Sequence, residues 1–74
     1  MSERMARQEL AIEGMHCSSC SMLIDDALED LPGVKSSATN VRRRRCVVDY
    51  EPGQVGMGEI MAIIEELGYR AAPV

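Results

Sequence analysis

QELAIEGMHCSSCSMLIDDALEDLPG, residues 8–33, changes its apolar period partway along. Leu10 and Ile12 alternate with Glu9, Ala11 and Glu13, which reads as a half-buried strand that Gly14 ends. Cys20, Leu23, Ile24, Ala27, Leu28 and Leu31 then recur at helical spacing and define one face of a helix. Asp25, Asp26, Glu29 and Asp30 fall off that face, and Pro32-Gly33 stops the helix. Between strand and helix lies Gly14-Met15-His16-Cys17-Ser18-Ser19-Cys20, with Ser18 or a neighbour as the helix cap. Two thiols therefore sit at a loop-to-helix junction near the surface.

Downstream, Val34–Val41 reads as a weak second strand, because it carries Ser36, Ser37, Thr39 and Asn40. Arg42 to Arg45 makes the turn, and Cys46-Val47-Val48-Asp49-Tyr50 is a third strand rich in β-branched residues. Glu51-Pro52-Gly53 breaks it and residues 54–58 link to a second helix. Ile60, Ile63, Ile64 and Leu67 form the apolar stripe of that helix, Met57 and Met61 lie alongside, and Gly68 stops it. Tyr69–Val74 is a short last strand, and residues 1–7 read as a polar tail. The order β-α-β-β-α-β predicts an α+β, ferredoxin-like domain over 8–74, with two helices on one face of a four-stranded antiparallel sheet.

A length of 74 residues allows one small domain, with a core of aliphatic residues and methionine since only 3% of residues are aromatic. Nucleic acid is excluded as a partner by the net charge of -4 and by the scarcity of stacking rings. The 3 cysteines are an odd number, so a full disulfide framework is excluded, and a reducing, cytoplasmic setting is expected. The first residues lack the apolar run of a signal peptide, and no stretch approaches the roughly 18 apolar residues that suggest a membrane span.

The chemistry concentrates on Cys17 and Cys20. Thiolate sulfur selects soft ions, and a helix N-terminus favours the thiolate form. A closed structural zinc site takes four ligands, whereas here only two thiols and His16 lie close in sequence. Two sulfurs hold a low-coordinate ion and leave it open to a partner's thiols, an arrangement for transfer. A dithiol redox pair is the alternative from another class, since C-x-x-C beside a βαβ pattern also marks thioredoxin-like proteins. Met15 reads as a plug into the core rather than a ligand, and His16 as pointing outward. Cys46 shares a strand face with Val48 and Tyr50 and reads as a core residue, at an end of the third strand expected to lie away from the first loop. Arg42 to Arg45 reads as a solvated hairpin tip, with docking of an acidic partner or of phosphate as the alternative.

The chain resembles the heavy-metal-associated domain of copper chaperones, copper-transporting P-type ATPases and mercury-handling proteins. The resemblance rests on Gly14–Cys20, Leu31-Pro32-Gly33-Val34, Val48-Asp49-Tyr50-Glu51-Pro52 and Leu67-Gly68-Tyr69, in family order, and covers about residues 8 to 74. It implies a non-enzymatic module whose metal ligands are Cys17 and Cys20. Its cargo would be Cu(I), with Hg(II) or Zn(II) as alternatives, and its recipient a copper-transporting P-type ATPase or the metal-binding domain of one. It further implies a Tyr69 beside the metal loop. A monomer is expected when empty, and a metal-bridged dimer, one ion shared through four thiols, is the alternative when loaded. Three features depart from the family pattern. Ser37 and Thr39 stand where apolar residues are usual, which leaves the second strand poorly packed or its hydroxyls bonded elsewhere. Cys46 replaces a small apolar residue, and the turn is all arginine.

Overall fold

In the computed structural model, which describes residues 5–15 and 18–74, the elements are β1 (Ala6–Glu13), α1 (Ser18–Glu29), β2 (Val34–Asn40), β3 (Arg45–Tyr50), α2 (Met57–Glu66) and β4 (Arg70–Pro73). The sheet order is β2-β3-β1-β4, with every neighbouring pair antiparallel. This is the ferredoxin-like βαββαβ arrangement expected from the periodicity. Leu10, Ile12, Cys46 and Val48 from the sheet, Ile24 and Leu28 from α1, and Ile60 and Ile64 from α2 are fully buried together. Each such aliphatic side chain contributes about 1.5–3 kcal/mol on leaving water.

β1 starts at Ala6, not Gln8, so Ala6 and Arg7 belong to the sheet rather than to a tail. Ala6 pairs with Tyr50 and packs on the core, and Arg7 Nε binds Asp49 Oδ1 at 2.8 Å. Gln8, a polar residue on the inward parity, hid this start from the alternation.

The apolar face of α1 is narrower than its sequence suggests. Cys20, Ile24 and Leu28, four residues apart, are its buried positions, while Leu23 is 54% exposed. Leu67, read as part of the second stripe, is the C-cap of α2 and is 38% exposed. Asp25 does not point to solvent as expected. Its Oδ1 accepts from Ser37 Oγ at 2.8 Å and from Thr39 Oγ1 at 2.7 Å, and its Oδ2 accepts from the Thr39 N–H at 3.4 Å. Glu29, one turn on, accepts from the Ser37 N–H at 3.3 Å. Two carboxylates of α1 thus cover N–H groups of β2, an edge strand that would otherwise offer them to another chain.

A register shift between Val34 and Ser36 aims β2 in this way. Ser37 then stands opposite Val48 and Thr39 opposite Cys46, on the helix side, and Ala38 faces out. The hydroxyls that departed from the family pattern are therefore partnered, by Asp25. Asp25→Ala should lower stability by about 1–3 kcal/mol, the cost of stranding buried donors. Adding Ser37→Ala and Thr39→Val should recover most of it, read as the shift of the urea midpoint. A triple variant no more stable than Asp25→Ala would show that the carboxylate acts otherwise than through these hydroxyls.

Candidate metal centre

Three connections meet at one end of the sheet. β1 leaves the core through Gly14, whose φ of +100° suits glycine and few other residues. A Cβ there would lie 3.5 Å from Tyr69 Cδ1 and 3.7 Å from Gly68 O, so the α2–β4 connection abuts this loop. That connection is itself fixed. The Gly68 N–H donates to Glu65 O at 3.0 Å and the Tyr69 N–H to Ile64 O at 3.3 Å, with Gly68 at φ +98°, a Schellman close. The β2–β3 turn reaches the same end, because the Ile12 N–H donates to Arg44 O at 2.8 Å.

Met15 is half-buried and packs against the core, as a loop anchor does. Cys20 lies in the first turn of α1 and is 6% exposed. No acidic residue occupies that first turn, so nothing offsets the partial positive charge of the helix end, which favours an anion such as thiolate. Ser18 is the first helical residue, within the helix rather than its cap. Cys17 and His16 lie outside the described residues. Tyr69 is half-buried, with its ring beside Gly14.

Cys46 requires a correction. The register places Cys46 opposite Leu10 and Arg45 opposite Ala11, so the hairpin end of β3 lies beside the exit of β1, at the same end as the metal loop and not away from it. Strand direction explains this: β1 runs toward the loop, and antiparallel β3 starts from that end. The thiol nevertheless stays inside. Cys46 is fully buried, with Sγ 3.6 Å from Ser37 Oγ. Burial pushes its pKa up, against the weaker pull of hydrogen bonds with Thr39 and Ser37, and the charge of Asp25 adds to the rise. A thiol held protonated is a poor ligand for a soft ion. Among the described residues, no three His, Cys, Asp or Glu side chains gather as a metal site, so Cys46 belongs to no ligand cluster there.

This fold is that of a heavy-metal-binding module. The chain belongs to the heavy-metal-associated domain family, whose pattern it matches over residues 9–70. It is 39% identical over 67 residues to a copper-exporting P-type ATPase of Staphylococcus haemolyticus, covering 90% of this chain and 8% of that one. It is 34% identical over 65 residues to the copper chaperone CopZ of Enterococcus hirae, covering 88% of this chain and 94% of the chaperone. A solved structure of a CopZ metallochaperone superposes with a TM-score of 0.87 at 28% identity, covering 90% of this chain and all of that one. The chain thus spans less than a tenth of the ATPase and nearly the whole chaperone. As a member of this family it is a binding domain for soft metal ions and not an enzyme. None of its described helices is long and apolar enough to cross a membrane.

Proposed function

We propose that Cys17 and Cys20 bind a single Cu(I) ion and pass it, by stepwise thiolate exchange, to a dithiol site of a copper-transporting P-type ATPase or of a metal-binding domain from one. The observation that carries this reading is Cys20 in the acid-free first turn of α1, beside the loop end formed by Gly14 and Tyr69. Its support from relatives is that a chaperone and an ATPase, the two sides of such an exchange, both resemble this chain. The protein works in the cytoplasm, is a monomer when empty, and can share one ion with a second domain through four thiols.

Native mass spectrometry of the reduced protein with Cu(I), Zn(II) and Hg(II) tests the cargo, with competition against a Cu(I) chelator for affinity. The expected result is one Cu(I) per chain, held against the chelator and released to an apo ATPase domain on mixing. Stronger retention of Hg(II) with no transfer of Cu(I) would make this a mercury-binding module. Turnover in insulin reduction without chelator-resistant Cu(I) would make it a dithiol oxidoreductase.

A further inference from the structure

Four of the 8 basic residues of an acidic chain are consecutive, and the fold delivers them to the mouth of the metal loop. Arg45 is engaged by Glu9, Nε to Oε2 at 3.3 Å. Arg42, Arg43 and Arg44 are exposed, and among the described residues none of them is in an ion pair. Their turn is ordered: the Arg43 N–H donates to Asn40 Oδ1 at 3.1 Å, and the Arg44 N–H to Val41 O at 3.2 Å. Arg44 has a φ of +56°, a left-handed position that glycine or asparagine would occupy with less strain. The opposite flank of the mouth, on the β4 side, carries Glu13 paired in register with Arg70, and Glu65. The β4 flank thus mixes both signs, and the cluster of like positive charge lies on the hairpin side.

We infer that the Arg42–Arg44 tip steers small anionic metal–thiolate complexes onto the dithiol loop, so that the domain is loaded from a low-molecular-mass thiol carrier. This deepens the Cu(I) reading above and rests on it. In a thiol-rich medium a soft monovalent ion travels between two thiolates, as a complex of net negative charge. Such a complex meets an acidic protein unfavourably except where cations cluster beside the site, and local charge acts on the encounter rate. In the exchange the two bonds from metal to donor sulfur break and two form to Cys17 and Cys20. The protons of these thiols leave on the donor's thiolates, the ion remains Cu(I), and the net negative charge moves with it from carrier to protein.

The test compares wild type with Arg42→Gln/Arg43→Gln/Arg44→Asn, asparagine being tolerant of the left-handed backbone. Uptake is followed by stopped flow at the metal–thiolate ultraviolet band, from an anionic donor, Cu(I) bis-bicinchoninate, and from a cationic one, the Cu(I)–acetonitrile complex. At an ionic strength of about 0.01 M the variant should load about 10-fold more slowly from the anionic donor, and the gap should close by about 0.5 M salt. Loading from the cationic donor should not slow, and equilibrium affinity should be unchanged. Arg42→Gln/Arg43→Gln, which keeps Arg44, should give part of the effect and covers a fold perturbed by the third change. Equal rates for variant and wild type, equal slowing with both donors, or slowing seen only with an acidic protein partner would each overturn the proposal while leaving the dithiol site intact. Failure of the wild type to hold Cu(I) would remove the dithiol reading, and the steering with it.

Discussion

Cys17→Ser and Cys20→Ser should each lower Cu(I) affinity at least roughly a thousand-fold, about 4 kcal/mol, whereas Cys46→Ser should leave it unchanged. The size of the effect follows from the small ligand set. With two sulfurs, losing either halves the coordination, and a serine hydroxyl is a hard donor that stays protonated near neutral pH. Cys46 differs in kind: it is fully buried, bonded to Ser37 and held as the thiol. Competition titrations against a Cu(I) chelator on the three variants give the comparison. Loss of metal from the Cys46→Ser protein, with retention by the other two, would move the site into the core. Thermal melting adds a second effect at Cys20. Cys20 is 6% exposed and sits within α1, so its replacement should also loosen the first turn of the helix, visible as a lower melting temperature of the empty protein.

The largest stability effect is expected at the other end of the molecule. Gly33 closes the α1–β2 connection at φ +100°, and a Cβ there would come within 2.9 Å of both Gln54 Cβ and Val55 Cγ1. Both the backbone conformation and the packing oppose a side chain. Gly33→Ala should therefore cost about 2–5 kcal/mol, the sum of left-handed strain and overpacking. Gly68 is the internal control. Its φ is +98°, yet a Cβ there would meet nothing within 4 Å, so Gly68→Ala should cost only about 1–2 kcal/mol. Urea denaturation of both variants measures the difference, which isolates the clash with Val55. Equal costs would mean that the loop carrying Gln54 and Val55 gives way freely. Since the Glu51 N–H donates to Gly33 O at 2.7 Å and the core includes Val55, little freedom is expected.

How much of this was legible beforehand depended on whether a residue's partner was local. The shift of apolar period across residues 8–33 reveals β1 and α1 because the sheet-facing positions lie within each element: Leu10 and Ile12, then Cys20, Ile24 and Leu28. Asp25 is different. Local spacing assigns it to the solvent side of α1, and only the register shift at the start of β2 brings Ser37 and Thr39 beneath it. A straight two-residue alternation from Val34 would have turned Ser36 and Ala38 inward instead. Leu23 and Leu67 depart from the pattern for the opposite reason. Each fits a helical stripe, but a twisted four-stranded sheet covers only the centre of that stripe. Both line an exposed depression with Asp26, Glu29 and Asp30.

At the candidate site, spacing and chemistry single out the Cys17/Cys20 pair, of which Cys20 alone lies among the described residues. The neighbours of the loop were not readable from spacing, because they depend on which ends of the strands coincide. Strand direction alone moves Cys46 and the arginine turn to the metal end, through the pairing of Leu10 with Cys46 and the bond from the Ile12 N–H to Arg44 O. Once there, the two have opposite fates, set by the strand pleat. The Cys46 side chain enters the core, while Arg42 to Arg44 lie beyond the sheet, in water.

The contact between Gly14 and Tyr69 also has an optical consequence. The chain has no tryptophan and 2 tyrosines, and the fold separates these to opposite ends of the sheet. Tyr50, 9% exposed, pairs with Ala6 and Val34 far from the loop, whereas Tyr69 touches the glycine that opens it. Ultraviolet emission of the unlabelled protein thus contains a reporter and its own reference. If the loop fills as proposed, Tyr69 emission should change while Tyr50 holds a constant background, and a Tyr69→Phe protein should leave the reference alone.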